Sequence, residues 1–315
     1  MQHYDTIVIG AGHNGLICAT YLAQSGQKVL VLEASARAGG LAASREFYPG
    51  FKVAVAHSVS HFSSKIAKDL ALAAHGFKLG ADPISTIALN PEGEHINLSY
   101  SAGKASVGGV NDTDSIAYGE YCEMLRRFAE TLQPFWLKTM PRIGNNTLPD
   151  MLTFAHLGLK LRMLGKADMG EFMRVATLPS RDLMDENFDS ELLKAVLSWD
   201  GLIGSKMAPR SPNATVLAML YRMSGESSGA HSIGKGGVES LIKSLCAAAE
   251  SAGVDIHTAS PVVRIAISGD ENGLRCDGVI LADGDAVTAD RVVSSADPKT
   301  TFLKLVGVES LEIEF

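Results

Sequence analysis

The chain has 315 residues, 46% of them hydrophobic and 20% charged, with a formal net charge of −7. That length supports a large core and two domains of ordinary globular composition. The acidic balance excludes the basic field a nucleic-acid surface needs, and no run of 18 apolar residues is present to span a bilayer.

The first element is Thr6-Ile7-Val8-Ile9, a short apolar, β-branched run that predicts a buried parallel strand. It leads directly into Gly10-Ala11-Gly12-His13-Asn14-Gly15, which fits G-x-G-x-x-G. Leu16, Ala19, Thr20 and Ala23 follow at helical spacing, Gly26 stops the helix, and Lys28 to Leu32 predicts a second buried strand ending at Glu33. Gly10 permits the tight turn, Gly12 admits a pyrophosphate to the backbone, and Gly15 lets the helix pack on the strand. The helix N-terminus offers unpaired N–H groups and the positive end of its dipole to phosphates. Glu33 lies 33 − 15 = 18 residues after the last glycine. It is placed to accept both ribose hydroxyls of an adenosine and to repel a 2′-phosphate. Strand, glycines, helix, strand and acid in this register point to dinucleotide binding. A strand beginning by Thr6 leaves no room for a signal peptide.

Arg37-Ala38-Gly39-Gly40 follows the acid at once. Together with Gly10 to Gly15 and Glu33, it resembles the N-terminus of FAD-dependent oxidoreductases of the phytoene desaturase and flavin amine oxidase superfamily. The resemblance implies FAD as cofactor, bound by Gly10, Ala11, Gly12, His13, Asn14, Gly15, Glu33, Ala34, Arg37, Gly39, Gly40 and Leu41. In that superfamily the second glycine pair and its arginine cover the pyrophosphate.

Leu41 to Phe51 is expected as a loop and Gly50 to Ala56, which alternates weakly, as a strand. His57-Ser58-Val59-Ser60-His61 matches a stretch that passes near the flavin in the superfamily. Its two histidines are either acid–base groups or satisfied histidines at a strand-to-helix junction. Ser64 to His75 predicts a short helix ended by Gly76. A different texture starts at Phe77. Ile84 to Leu89 and His95 to Tyr100, around Asn90-Pro91-Glu92-Gly93, predict a hairpin, and Lys104 to Val110 adds a third strand. Asp112 or Asp114 caps the next helix, which carries a core stripe of Tyr121, Met124, Leu125, Phe128 and Leu132 and ends or kinks at Pro134. Met151 to Leu164 is unusually apolar, with Lys160, Arg162 and Lys166 beside it. It suits an interfacial helix, a substrate-cavity wall, or a core helix with a basic edge. Asp168 to Thr177, Asp189 to Ser198 and Thr215 to Met223 predict further helices, separated by turn-rich Trp199 to Gly204 and Ala208 to Pro212.

Gly234-Lys235-Gly236-Gly237 changes the texture back. A helix from Val238 to Ala252 is closed by Gly253. Strands follow at Val254 to Thr258, Pro261 to Ile267, Val279 to Leu281 and Ala286 to Thr288, the last two flanking the Asp283-Gly284 turn. Arg291 to Ser295 is a further strand. This succession resembles the second half of the superfamily's FAD domain, and implies that the backbone at Val263 meets the adenine. Asp200-Gly201-Leu202 and Pro209-Arg210-Ser211-Pro212 are similar to the phytoene-dehydrogenase-related subgroup. Ala230-His231-Ser232-Ile233 departs from it, where relatives carry an aromatic residue and a proline. The tail Glu309 to Phe315 lacks the Gly-rich turn that closes the flavin end in the superfamily, so a C-terminally truncated FAD domain, poorly active alone, is expected.

The expected fold is α/β: a Rossmann-like FAD-binding parallel sheet at 1–76 and 230–315, interrupted by a mixed α+β substrate domain at 77–229. An NAD dehydrogenase places its third sheet strand soon after the acid, whereas here the return comes near Val254, which favours FAD. The expected function is dehydrogenation or desaturation of a small apolar substrate, with hydride passing to flavin N5. No catalytic side chain is assigned. One alternative is a flavin amine oxidase, which an aromatic content of 6% disfavours. Another is a non-catalytic module that binds a lipid or prenylated protein, which the complete glycine set disfavours. Cys18, Cys122, Cys246 and Cys276 have neither redox-pair nor zinc spacing, so no metal is expected, and the setting reads as cytoplasmic, with peripheral membrane contact allowed by the Met151 to Leu164 stretch. The sequence leaves substrate identity, electron acceptor and oligomeric state open.

Overall fold

The computed structural model describes residues 3–56, 58–101, 104–144, 147–212, 215–224, 229–270 and 273–311. The chain divides into two compact units, residues 1–80 with 233–315, and residues 81–232. In chain order the first unit opens with β1 (His3–Ile9), α1 (His13–Gln24), β2 (Val29–Leu32), β3 (Arg45–Tyr48), β4 (Phe51–Val53) and α2 (Ser64–Asp69). β5 (Leu79–Ile84) leads into the second unit: β6 (Thr86–Ala88), β7 (Ile96–Ser101), β8 (Lys104–Gly108), α3 (Asp112–Leu132), α4 (Leu148–Met163), α5 (Lys166–Val175), α6 (Ser180–Asn187), α7 (Glu191–Leu202) and α8 (Thr215–Met223). β9 (His231–Gly234) leads back to α9 (Glu239–Ser251), β10 (Asp255–His257), β11 (Val262–Asp270), β12 (Gly273–Leu281), β13 (Ala286–Ser294) and a π-type helix over Lys299–Gly307.

The first unit is built on a six-stranded sheet ordered β10-β2-β1-β13-β12-β11. Its first four strands run parallel. Ile7 pairs with Leu30 on one side and Val292 on the other, and Val31 pairs in turn with Ile256. Ile7, Val8 and all four residues of β2 are buried, which is why these strands read as continuous apolar runs. One face is covered by α1 and α9, whose Leu16, Ala19, Leu241, Leu245 and Ala248 pack with Val8 and Val31. On the other face Ile7, Leu30 and Leu32 pack with Ile265, Val279 and Leu305. β13 corrects the expectation of two separate strands. It is one strand that pairs antiparallel with β12 over Ala286–Thr288 and parallel with β1 from Thr288 to Ser294. Ala289, buried at its middle, bridges the two stretches despite the polar neighbour Asp290.

Two further expectations in this unit are corrected. The loop expected from Leu41 to Phe51 contains β3, whose hairpin with β4 stops at Val53 rather than reaching Ala56. The helix expected to run to His75 ends at Asp69, followed by turns up to Gly76, whose φ is +91°.

The second unit packs an antiparallel β6-β7-β8 sheet and helices around a core of Tyr121, Leu125 and Phe128 from α3 with Phe172, Leu183, Leu193 and Leu220. The expected stripe on α3 is thus core. Its cap is neither Asp112 nor Asp114 but Asn111, whose side chain accepts from Asp114 N at 2.7 Å. Asp114 is buried and accepts instead from Asp189 N and Ser190 N, at 2.8 and 3.0 Å. α6 was not expected, and α7 runs through Trp199 to Leu202, expected as a turn. α4 is no core helix. None of its residues is buried, and Leu148, Met151, Leu152, Leu159 and Met163 are exposed.

Candidate cofactor site

The site forms where β1 turns into α1. Gly10 has φ +96°, a left-handed conformation that disfavours a side chain, and a Cβ there would lie 2.6 Å from Ser295 Oγ. Gly15 is more constrained still, since a Cβ would sit 2.0 Å from the Gly10 carbonyl oxygen. Both glycines therefore serve close packing of helix on strand. Gly12 is different: its backbone is ordinary (φ −69°, ψ 171°), and nothing lies within 4 Å of where its Cβ would be. The space over Gly12 is open.

Gly12 is also the N-cap of α1, with no side-chain cap and no acidic residue in the first turn. Leu16 N already bonds the Gly12 carbonyl at 3.0 Å. The N–H groups of His13, Asn14 and Gly15 belong to the first turn and have no helical acceptor, so they offer an anion site with the helix dipole behind it. His13 and Asn14 are exposed and Ala11 is buried. Desolvation lowers the His13 pKa, so its imidazole is neutral near neutral pH and brings no charge of its own.

The second glycine pair lies against the first. Gly39 N donates to Ala11 O at 2.8 Å, and Gly39 and Gly12 form a parallel bridge. Gly39 has φ +130° and Gly40 φ +56°, and a Cβ on Gly40 would approach Gly12 Cα to 3.3 Å. Two Gly-rich backbones thus meet at the open space over Gly12. Arg37, Ala34 and Leu41 are exposed nearby in sequence, and no hydrogen bond or ion pair holds Arg37 among the described residues.

Glu33 ends β2 and is 9% exposed. Oε2 accepts from Ala11 N at 2.8 Å and Oε1 from Ser35 N at 2.9 Å. The acid therefore braces the glycine loop, a role its spacing did not reveal. A carboxylate has about four acceptor sites, so capacity for two hydroxyls remains. The segment beside it is His257 to Ser260: Glu33 N donates to His257 O, and Ser260 N to Glu33 O, both at 2.9 Å. Val263 follows that segment, half-exposed at the register shift between Val262 and Arg264. Ser295 was also missed. Its Oγ donates to Ile9 O and Gly10 O, at 2.9 and 3.2 Å, locking β13 to the turn. His61 is exposed, and His57 lies outside the described residues, as does the Glu312 to Phe315 end of the tail.

An open, uncapped helix N-terminus, glycines where a Cβ would block approach, and an acid at the end of the neighbouring strand fit an adenosine pyrophosphate. Comparison with known proteins agrees. The family model for flavin containing amine oxidoreductase matches residues 15–301. Pyridine nucleotide-disulfide oxidoreductase domain-containing protein 2 of Mus musculus is 31% identical over 335 residues, covering 98% of this chain and 56% of that protein. The lycopene-forming phytoene desaturase of Paracoccus sp. is 27% identical over 316 residues, covering 96% of this chain and 56% of the enzyme. Among solved structures, a redesigned putrescine oxidase superposes with a TM-score of 0.59 at 17% identity, over 95% of this chain and 59% of that one, a likeness of fold. The chain thus spans little more than half the length of these curated relatives.

Proposed function

Because the chain belongs to the flavin-containing amine oxidoreductase family, we propose that it carries the FAD-binding part of an oxidoreductase that removes hydride from an apolar substrate. The observation that carries this is the open space over Gly12, at an uncapped helix N-terminus and faced by Gly39 and Gly40. The α1 N–H groups hold the pyrophosphate, with Arg37 adding charge from the following loop. Glu33 takes the ribose hydroxyls with its remaining lone pairs and disfavours a 2′-phosphate. FAD, when bound, supplies the hydride-accepting chemistry. The protein's own residues then bind, orient and exclude water, and no side chain of the chain is assigned a proton-transfer role. An apolar rather than amine substrate is supported by the phytoene desaturase likeness and by the low aromatic content. Purification tests the proposal: flavin absorbance with FAD identified by mass spectrometry supports it, and a colourless protein that ignores added FAD contradicts it. A desaturase-type apolar substrate and an amine, offered to the full-length protein with an artificial acceptor, separate the two substrate classes.

We further propose that α4 makes peripheral contact with a lipid surface. Leu161 packs only partly against the core, while Leu148, Met151, Leu152, Leu159 and Met163 face solvent beside Lys160 and Arg162. Among the described residues no helix is long and apolar enough to cross a membrane. An exposed apolar helix with basic neighbours suits the headgroup boundary of an anionic bilayer.

A further inference from the structure

The 81–232 unit contains a cavity of about 90 Å³ with an ion pair in its wall. Apolar side chains of Leu125, Leu197 and Met219 form much of the lining. The charged members are Asp200 on α7 and Arg222 on α8. The Arg222 side chain is 6% exposed and that of Asp200 29%, and Arg222 Nη1 forms an ion pair with Asp200 Oδ1 at 2.7 Å. Its Nε donates to Gly229 O at 3.2 Å, and its Nη2 meets His231 Nε2. A guanidinium carries five N–H groups, of which two, on Nε and Nη2, are engaged in hydrogen bonds among the described residues. Asp200 Oδ2 takes no hydrogen bond from a described residue. Besides His231 on β9, the other titratable groups around the pair are Tyr100 from β7 and Tyr118, Tyr121 and Cys122 from α3. Burial raises the pKa of Tyr118, Tyr121 and Cys122, so they stay protonated and neutral near neutral pH.

Asp200 and Arg222 both line the cavity, and the Asp200 side chain is 29% exposed, so its second oxygen is open to a ligand there. We propose that this cavity is a binding site for the hydroxyl-bearing end of an apolar molecule, the hydroxyl donating to Asp200 Oδ2 and accepting from Arg222. The pair selects for a neutral group. A cation would face the guanidinium and an anion the carboxylate, whereas a hydroxyl both donates and accepts. The size is consistent. A cavity of about 150 Å³ takes up benzene in another protein, and this smaller one suits a three-carbon alcohol or the matching end of a longer chain. The site concerns the 81–232 unit alone and stands or falls independently of flavin binding.

The test is titration of the chain with 1-propanol, propylamine and 1-propanesulfonate, read from the ¹³C-methyl NMR signals of Met219 and Met223, both of which line the cavity. Near neutral pH, propanol shifts these signals saturably and binds at least tenfold more tightly than the amine or the sulfonate. In Asp200→Asn the wall becomes cationic, and the sulfonate overtakes the alcohol. A wild-type sample at about pH 5 reaches the same state without mutation, because burial pushes Asp200 up to about 6. A filling variant, Ala105→Leu, abolishes propanol binding while the thermal transition persists. The proposal is overturned if no probe gives a saturable shift, if the amine or sulfonate equals the alcohol in the wild type, if acidification leaves the order unchanged, or if the folded filling variant binds propanol as before.

Discussion

Gly12 and Gly15 sit three residues apart in one motif, and the structure assigns them opposite sensitivities. At Gly15 a Cβ would lie 2.0 Å from the Gly10 carbonyl oxygen. Ordinary C···O contacts begin at about 3.3 Å, so Gly15→Ala must displace α1 from β1 by roughly 1.3 Å. The obstructing atom is backbone, fixed further by the Ser295 hydroxyl. Such overpacking costs about 1–3 kcal/mol, which in a protein of this size lowers Tm by about 2–4 °C per kcal/mol. At Gly12 there is space and an allowed φ. A side chain restricts the unfolded chain, a gain of about 0.4–1 kcal/mol, and loses glycine's advantage at an N-cap, a cost of similar size. Gly12→Val should therefore change stability by no more than about 1 kcal/mol. It does, however, fill the phosphate approach. Losing two charge-assisted hydrogen bonds, each worth about 1.5–3 kcal/mol, weakens FAD by more than about a hundredfold. Urea unfolding and FAD fluorescence titration on the same samples check both halves. Gly12→Val binding FAD as the wild type does, or Gly15→Ala matching wild-type stability, would refute the reasoning.

Other outcomes follow from the same geometry. Glu33→Ala should cost about 1–3 kcal/mol of FAD affinity and a similar amount of stability, because it orphans the buried Ala11 N–H as well as the ribose hydroxyls; a variant with unchanged affinity by titration removes Glu33 from the site. Burial pushes Asp200 up to about 6 from a carboxylate's ordinary 3.8, Arg222 only partly offsetting it. The folded state holds that proton more tightly, so this group's contribution to stability falls as pH rises from about 4 to about 6 and is flat above, by at most about 3 kcal/mol. Urea midpoints across that window should lose this component in Asp200→Asn, and an unchanged slope counts against the assignment. Arg222→Met removes the ion-pair partner of Asp200 and the donor to Gly229 O and should destabilise by about 1–3 kcal/mol near neutral pH; thermal unfolding reads it. Leu152→Glu with Leu159→Glu should abolish flotation with anionic liposomes while unfolding is unchanged, and undiminished flotation would show that α4 does not touch the lipid.

Much of the first unit was legible because its signals are local. A buried parallel strand must be continuously apolar, a tight turn needs glycine, and the late return to the sheet near Val254 identified an interrupted sheet. What escaped depends on partners distant in sequence. The Glu33 carboxylate reaches Ala11 N and the Ser295 hydroxyl reaches Gly10 O, contacts that no spacing announces. Asn111 and Asp114 both belong to the capping residue types, and the backbone decided between them. α4 was legible as apolar, but its sequence has no single face, so nothing local said that its side chains would be left in solvent.

The central claim is that the Gly10–Gly15 loop, Gly39-Gly40 and Glu33 together hold the adenosine diphosphate half of FAD. Its most direct test is equilibrium titration of the purified chain with FAD, ADP, FMN and a 2′-phosphorylated adenosine diphosphate. The site described here predicts FAD binding, competition by ADP, no measurable competition by FMN, and rejection of the 2′-phosphate that Glu33→Ala relieves. FMN binding as well as FAD, or the 2′-phosphate binding as well as ADP in the wild type, would contradict it.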